Sequence, residues 1–147
     1  MSSNVKPPTV SRLLGLALAI AWTVLAGACG GSGSSEVQSA DAALVEPTPF
    51  SALVEAPKTF VLNVHTPDEG SIPGTDAEIP FDQLERRTAE LPGDRSTPLA
   101  VYCRSGNMSA TARQTLADLG YTDVTELAGG MLAWEAEGLT LLPPAAS

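Results

Sequence analysis

Two stretches of this chain, Phe60-Val61-Leu62-Asn63-Val64 and Leu99-Ala100-Val101-Tyr102, are apolar at successive positions instead of alternate ones, with Asn63 the one polar interruption. A strand covered on one face alternates apolar and polar side chains. A run without alternation is covered on both faces, which parallel strands sandwiched between helices provide. Val124-Thr125-Glu126-Leu127 reads as a third strand, and Leu44-Val45 as a short edge element. Helical patterns lie between these runs. Thr48-Pro49 reads as an N-cap with proline at the first helical position, opening a short helix through about Glu55. Phe81 to about Leu91 reads as a second helix, stopped by Pro92-Gly93-Asp94. Ser109 to Leu119 has Met108, Ala112, Leu116 and Leu119 on one face and Gly120 as its stop. A final helix follows the Gly129-Gly130 turn, from Met131 to about Glu137. Pro67 to Pro80, dense in Pro, Gly and Asp, reads as a long loop. The alternation predicts an α/β fold, a central parallel sheet with helices on both faces. Ligands of such sheets bind beyond the carboxyl ends of the strands. Cys103 falls at one of those ends.

The N-terminus has a different character. Lys6 and Arg12 precede an uncharged apolar run from Leu13 to Ala26, which is short for a bilayer span and has the layout of a secretory signal peptide. It closes on Leu25-Ala26-Gly27-Ala28-Cys29, which resembles the lipobox of bacterial lipoproteins. That resemblance implies a signal peptide over 1–28, diacylation of Cys29, and anchoring to the cell membrane on its extracytoplasmic side. Gly30-Gly31-Ser32-Gly33-Ser34-Ser35 opens a flexible linker, 29–43, ahead of a folded domain over 44–141, and 142–147 reads as a disordered tail.

Charge narrows the partners. The whole chain carries −9, and losing the first 28 residues removes Lys6, Arg12 and no acid, leaving −11. Such a body repels nucleic acid and anionic lipid surfaces, so no nucleic-acid partner is expected and membrane contact is expected through the lipid alone. An anionic substrate would have to be held by local donors. Asp68, Glu69, Asp76, Glu78 and Asp82 read as a solvated acidic rim, not as metal ligands.

The chemistry concentrates in Cys103-Arg104-Ser105-Gly106-Asn107-Met108. A thiol ends a buried strand, a loop containing glycine follows, and a helix starts near Ser109. Loop N–H groups and the positive helix end then converge on one sulfur, which lowers a thiol's pKa and stabilises an anion there. The guanidinium of Arg104 can add to this. Such a cysteine taken alone is often only a buried apolar side chain, so its neighbours decide. With Cys29 acylated, Cys103 has no partner for a disulfide.

Three segments supply that context. Tyr102 to Ser109, then Leu119-Gly120-Tyr121, then Leu127-Ala128-Gly129-Gly130-Met131-Leu132-Ala133-Trp134, in this order and spacing, closely resemble the active-site loop, following helix end and C-terminal signature of rhodanese domains. The resemblance implies a rhodanese-like α/β fold and sulfurtransferase activity. A sulfane sulfur would pass from a small donor (thiosulfate, polysulfide or persulfide) to a thiol or other thiophilic acceptor through a Cys103 persulfide. By the same resemblance Arg104, Ser105, Gly106, Asn107, Met108 and Ser109 bind the substrate, and neither cofactor nor metal is needed. The chain departs from the family at Asn63 and His65, where Asp and Arg are usual, and at Met108, where an Arg is frequent. His65 is expected to fix a loop and not to act as a base. Met108 is expected to weaken the hold on a dianion such as thiosulfate, leaving Arg104 and backbone amides. A phosphatase would need an Arg six residues after the cysteine, where Ser109 stands. The alternative to an enzyme is a non-catalytic binding or sulfur-sensing module on the outer face of the membrane.

Overall fold

The computed structural model describes residues 43–146. The signal peptide, Cys29 and nearly all of the linker expected from the sequence lie outside the described residues. Five strands form one sheet: β1 (Ala43–Val45), β2 (Phe60–Asn63), β3 (Ala77–Glu78), β4 (Leu99–Tyr102) and β5 (Val124–Leu127). Their order is β1-β5-β4-β2-β3 and every pairing is parallel. The helices are α1 (Pro47–Val54), α2 (Asn107–Asp118) and α3 (Gly130–Ala136).

The period of two along each central strand sorts side chains into two cores. Leu62, Leu99, Val101 and Val124 join Cys103, Ala112, Leu116 and Tyr121 in one cluster, on the α2 side. Val61, Ala100, Tyr102 and Leu127 join Phe50, Met131 and Trp134 in the other, on the α1 and α3 side. Aromatic residues make up only 5% of the chain, yet three of them organise the second core. Phe50 meets the Tyr102 and Trp134 rings edge-on, each at 6.4 Å between centroids. Such T-shaped pairs add about 0.5–1.5 kcal/mol each beyond burial. The Tyr102 hydroxyl reaches the loop before β3, accepting from the Ile72 N–H at 2.9 Å and pairing with Thr75 Oγ1 at 2.6 Å. Burial pushes its pKa up to about 12.

Several expectations are corrected. The first helix starts at Pro47, with Glu46 as its cap, because two prolines in the first turn preset helical φ and need no N–H there. The segment from Phe81 to Leu91 is not an α-helix. It is a series of turns bonded mostly i to i−3, ending in a 3-10 turn at Thr88–Glu90. Pro80 and Pro92 bracket it, and Pro92 holds the preceding Leu91 in extended backbone at ψ 156°, so no helix can run through its end. A two-sided Arg87–Glu90 contact, 2.6 Å at both nitrogens, closes its last turn. The loop from Pro67 to Pro80 holds the short strand β3. Beyond Leu141 the chain is still engaged: Leu142 and Ser71 exchange backbone hydrogen bonds at 2.7 and 3.1 Å.

Candidate active site

β4 ends at Tyr102, and Cys103 begins the turn into α2, buried to 1% exposure on the α2 side of the sheet. The turn is tight enough to require a left-handed residue at its end, supplied by Gly106 at φ 100°. In that conformation the Gly106 N–H donates to Cys103 Sγ at 3.1 Å. The Ser109 hydroxyl lies 3.4 Å from the same sulfur. Burial pushes the Cys103 thiol up. Against it act hydrogen bonds at the sulfur, those from the amides of Ser109, Ser105 and Gly106 among them, and the balance leaves the thiol below its ordinary value.

The far wall is α3. The Met131 N–H donates to the Cys103 carbonyl at 2.9 Å and the Leu132 N–H to the Arg104 carbonyl at 3.0 Å, pinning the loop from behind. Gly130 permits this approach. A Cβ there would sit 2.3 Å from the Cys103 carbonyl oxygen and 2.6 Å from the Arg104 carbonyl carbon. The Gly-Gly signature is therefore a seat for the cysteine loop.

Of the residues expected to bind substrate, the structure brings Ser105, Gly106 and Ser109 to the sulfur. Arg104 it does not. Its guanidinium pairs with Glu69 at 3.1 Å, and the same Glu69 oxygen accepts from His65 Nε2 at 2.9 Å. Physically the cause is proximity: the loop after β2 brings a carboxylate to a cation that would otherwise face solvent. Met108 is partly buried and packs on the α2-side core. Asn107 opens α2.

The departures at β2 have a structural role. Asn63 is 3% exposed, its Nδ2 donating to the Gly70 carbonyl at 3.2 Å and its Oδ1 accepting from the His65 N–H at 3.0 Å, so it ties the loop onto the sheet. His65 fixes that loop, as expected. The residues of the acidic rim, Asp68, Glu69, Asp76, Glu78 and Asp82, are exposed, as expected; Asp76 accepts from the Val61 N–H at 2.8 Å, and Asp68 accepts from the Gly70 and Ala145 N–H groups at 2.9 Å each.

Sequence reasoning missed Glu126. It is 3% exposed on β5, accepts from the Ser109 hydroxyl at 2.7 Å and meets Arg113 at 3.2 Å. The available signal was an acid inside an apolar strand run, since a buried carboxylate needs partners.

The comparisons agree with this geometry. The family model described as "Rhodanese-like domain" matches residues 46–137. A sulfurtransferase of Allochromatium vinosum is 34% identical over 95 residues, 63% of this chain and 86% of that protein. The thiosulfate sulfurtransferase PspE of Escherichia coli is 38% identical over 53 residues, 36% of this chain and 50% of that protein. The crystal structure of a rhodanese-related protein from Thermoplasma volcanium superposes with a TM-score of 0.57 at 28% identity, covering 68% of this chain and 97% of that one. The cysteine loop, its glycine seat and a family match spanning more than half of the sequence lead to one conclusion: the chain belongs to the rhodanese-like domain family.

Proposed function

We propose that this protein is a sulfurtransferase that carries a sulfane sulfur on Cys103. The observation that carries the reading is the Gly106 N–H donating to Cys103 Sγ at 3.1 Å, in a loop whose amides hold the thiol below its ordinary value. A thiolate is the nucleophile in such chemistry. In the first half-reaction its electron pair forms an S–S bond to the outer sulfur of a donor. The donor's own S–S bond breaks, and the remainder leaves with that pair; from thiosulfate this is sulfite. In the second, a thiolate acceptor attacks the outer sulfur and Cys103 leaves as thiolate. Charge and sulfur balance in each step, and the amides serve the anion in both.

The donor class follows from what surrounds the loop. Arg104 is engaged by Glu69, and Met108 replaces a frequent family cation with a polarizable thioether. Organic persulfides and polysulfides, which lose less from a missing cation than a dianion does, are the proposed donors. The test is sulfur transfer to cyanide from thiosulfate, a polysulfide and glutathione persulfide, with Cys103→Ala as control. Transfer that depends on Cys103 supports the proposal; no transfer from any donor rejects it.

The same proposal includes location: a lipid-anchored protein on the outer side of the cell membrane, from the Leu25 to Cys29 segment. Cys29→Ala should then abolish labelling by a radiolabelled fatty acid and release the protein from membranes. A full chain recovered unlipidated from the cytoplasm would refute it.

A further inference from the structure

Glu126 is a carboxylate on a strand, 3% exposed, and such a group is costly unless both oxygens are partnered. Its partners come from one helix face. Oε1 accepts from Ser109 Oγ at 2.7 Å and Oε2 meets Arg113 Nη1 at 3.2 Å. Ser109 and Arg113 stand four apart on α2, so one helical turn presents them side by side to β5. Glu126 has the same strand parity as Val124, which packs in the α2-side cluster with Cys103.

The Ser109 hydroxyl has one hydrogen and three acceptors in reach: Glu126 Oε1 at 2.7 Å, the Gly106 carbonyl at 3.0 Å and Cys103 Sγ at 3.4 Å. The carboxylate oxygen at the shortest distance takes it. The hydroxyl then turns a lone pair toward the sulfur.

We infer that Glu126 is a positioning residue for Cys103: held by Arg113, it orients Ser109 as an acceptor toward the sulfur, so the loop favours negative charge on the outer sulfur of a persulfide over negative charge on Cys103 itself. The persulfide half of this statement rests on the sulfur-carrier reading; the orientation of Ser109 does not. When an acceptor's electron pair bonds to the outer sulfur, the S–S bond breaks and its pair leaves on Cys103. A lone pair from Ser109 does nothing for that leaving group, whereas a donated hydrogen would help it. The sulfur is therefore retained until a strong acceptor arrives. Near the loop, the Arg104 guanidinium and the His65 ring both pair with Glu69.

The decisive variant is Glu126→Gln in the full chain. Arg113 donates and needs an oxygen opposite it, so the introduced amide turns its NH2 to Ser109 and frees the hydroxyl hydrogen for the two remaining acceptors, the Gly106 carbonyl and Cys103 Sγ. The pH midpoint for alkylation of Cys103 by iodoacetamide should fall by about one unit, roughly tenfold more thiolate well below the midpoint. This shift should vanish in a Ser109→Ala background. Persulfidated Glu126→Gln should discharge to a small thiol roughly threefold faster than wild type. An unmoved or raised midpoint, or an equal shift without the Ser109 hydroxyl, overturns the inference. If Glu126→Gln fails to fold, Ser109→Ala alone decides: a hydroxyl that accepts from the sulfur leaves the midpoint in place or lower on removal, and a rise shows that it was a donor. Alkylation needs no sulfur donor, so a protein that takes up no sulfur defeats the carrier reading while the Ser109 result stands.

Discussion

Replacing Gly130 by alanine isolates the contact that seats the cysteine loop. The added Cβ would lie 2.3 Å from the Cys103 carbonyl oxygen and 2.7 Å from the Arg104 carbonyl oxygen, both backbone atoms that cannot rotate away. α3 must retreat, and two hydrogen bonds go with it: Met131 N–H to the Cys103 carbonyl at 2.9 Å and Leu132 N–H to the Arg104 carbonyl at 3.0 Å. Each contributes about 1 kcal/mol net. Gly130 is also left-handed at φ 59°, which costs an alanine roughly 1–2 kcal/mol. The expected loss is about 3–4 kcal/mol, a large part of the stability of a small domain. Two other glycines separate the contributions. Gly138 has φ 77° with nothing within 4 Å of an added Cβ, so Gly138→Ala reports backbone strain alone; Gly93 has neither strain nor a close neighbour. Urea denaturation of the three variants should rank Gly130→Ala far below Gly138→Ala, with Gly93→Ala near wild type. Iodoacetamide should also reach Cys103 faster in Gly130→Ala, since its loop has lost its backing. If Gly130→Ala is no less stable than Gly138→Ala, the seat is not what the close approach implies.

Two further outcomes are expected. Tyr102 is neutral when folded, with its pKa raised to about 12 by burial; because the folded value exceeds the unfolded one, its contribution is complete below pH ~10 and is lost as pH rises toward ~12, about 3 kcal/mol in all. Urea midpoints measured up this range should fall for wild type and fall less for Tyr102→Phe, and parallel curves would refute the assignment. Met108→Arg returns a cation to the second residue of α2 and should lower KM for thiosulfate about tenfold, as a charge-assisted hydrogen bond of roughly 1.5–3 kcal/mol allows, with little change for an organic persulfide; equal effects on both donors would argue against a missing-cation explanation.

What could be read from the sequence was what local pattern determines. β2 and β4 were legible because burial on both faces erases polar positions, and the Cys103 loop because strand, glycine and helix are contiguous. β3 was not, since two residues at the edge of a Pro- and Gly-rich loop carry no period. Phe81 and Leu84 are spaced as either an α-helix or a 3-10 turn would space them, and only the bracketing prolines distinguish the two. The Glu69–Arg104 pair joins residues 35 apart through the folding of a loop, which no local pattern records. Glu126 lay in plain view inside a strand run, but its role emerges only when α2 brings Ser109 and Arg113 to it.

The central claim is that Cys103 carries sulfur, and the mass of the intact protein tests it most directly. The full chain is incubated separately with glutathione persulfide, a polysulfide and thiosulfate, freed of donor and weighed without reductant. The account predicts one added sulfur atom on wild type, removable by a small thiol and absent from Cys103→Ala, which still retains Cys29. No added sulfur from any donor, or equal loading of Cys103→Ala, would contradict it.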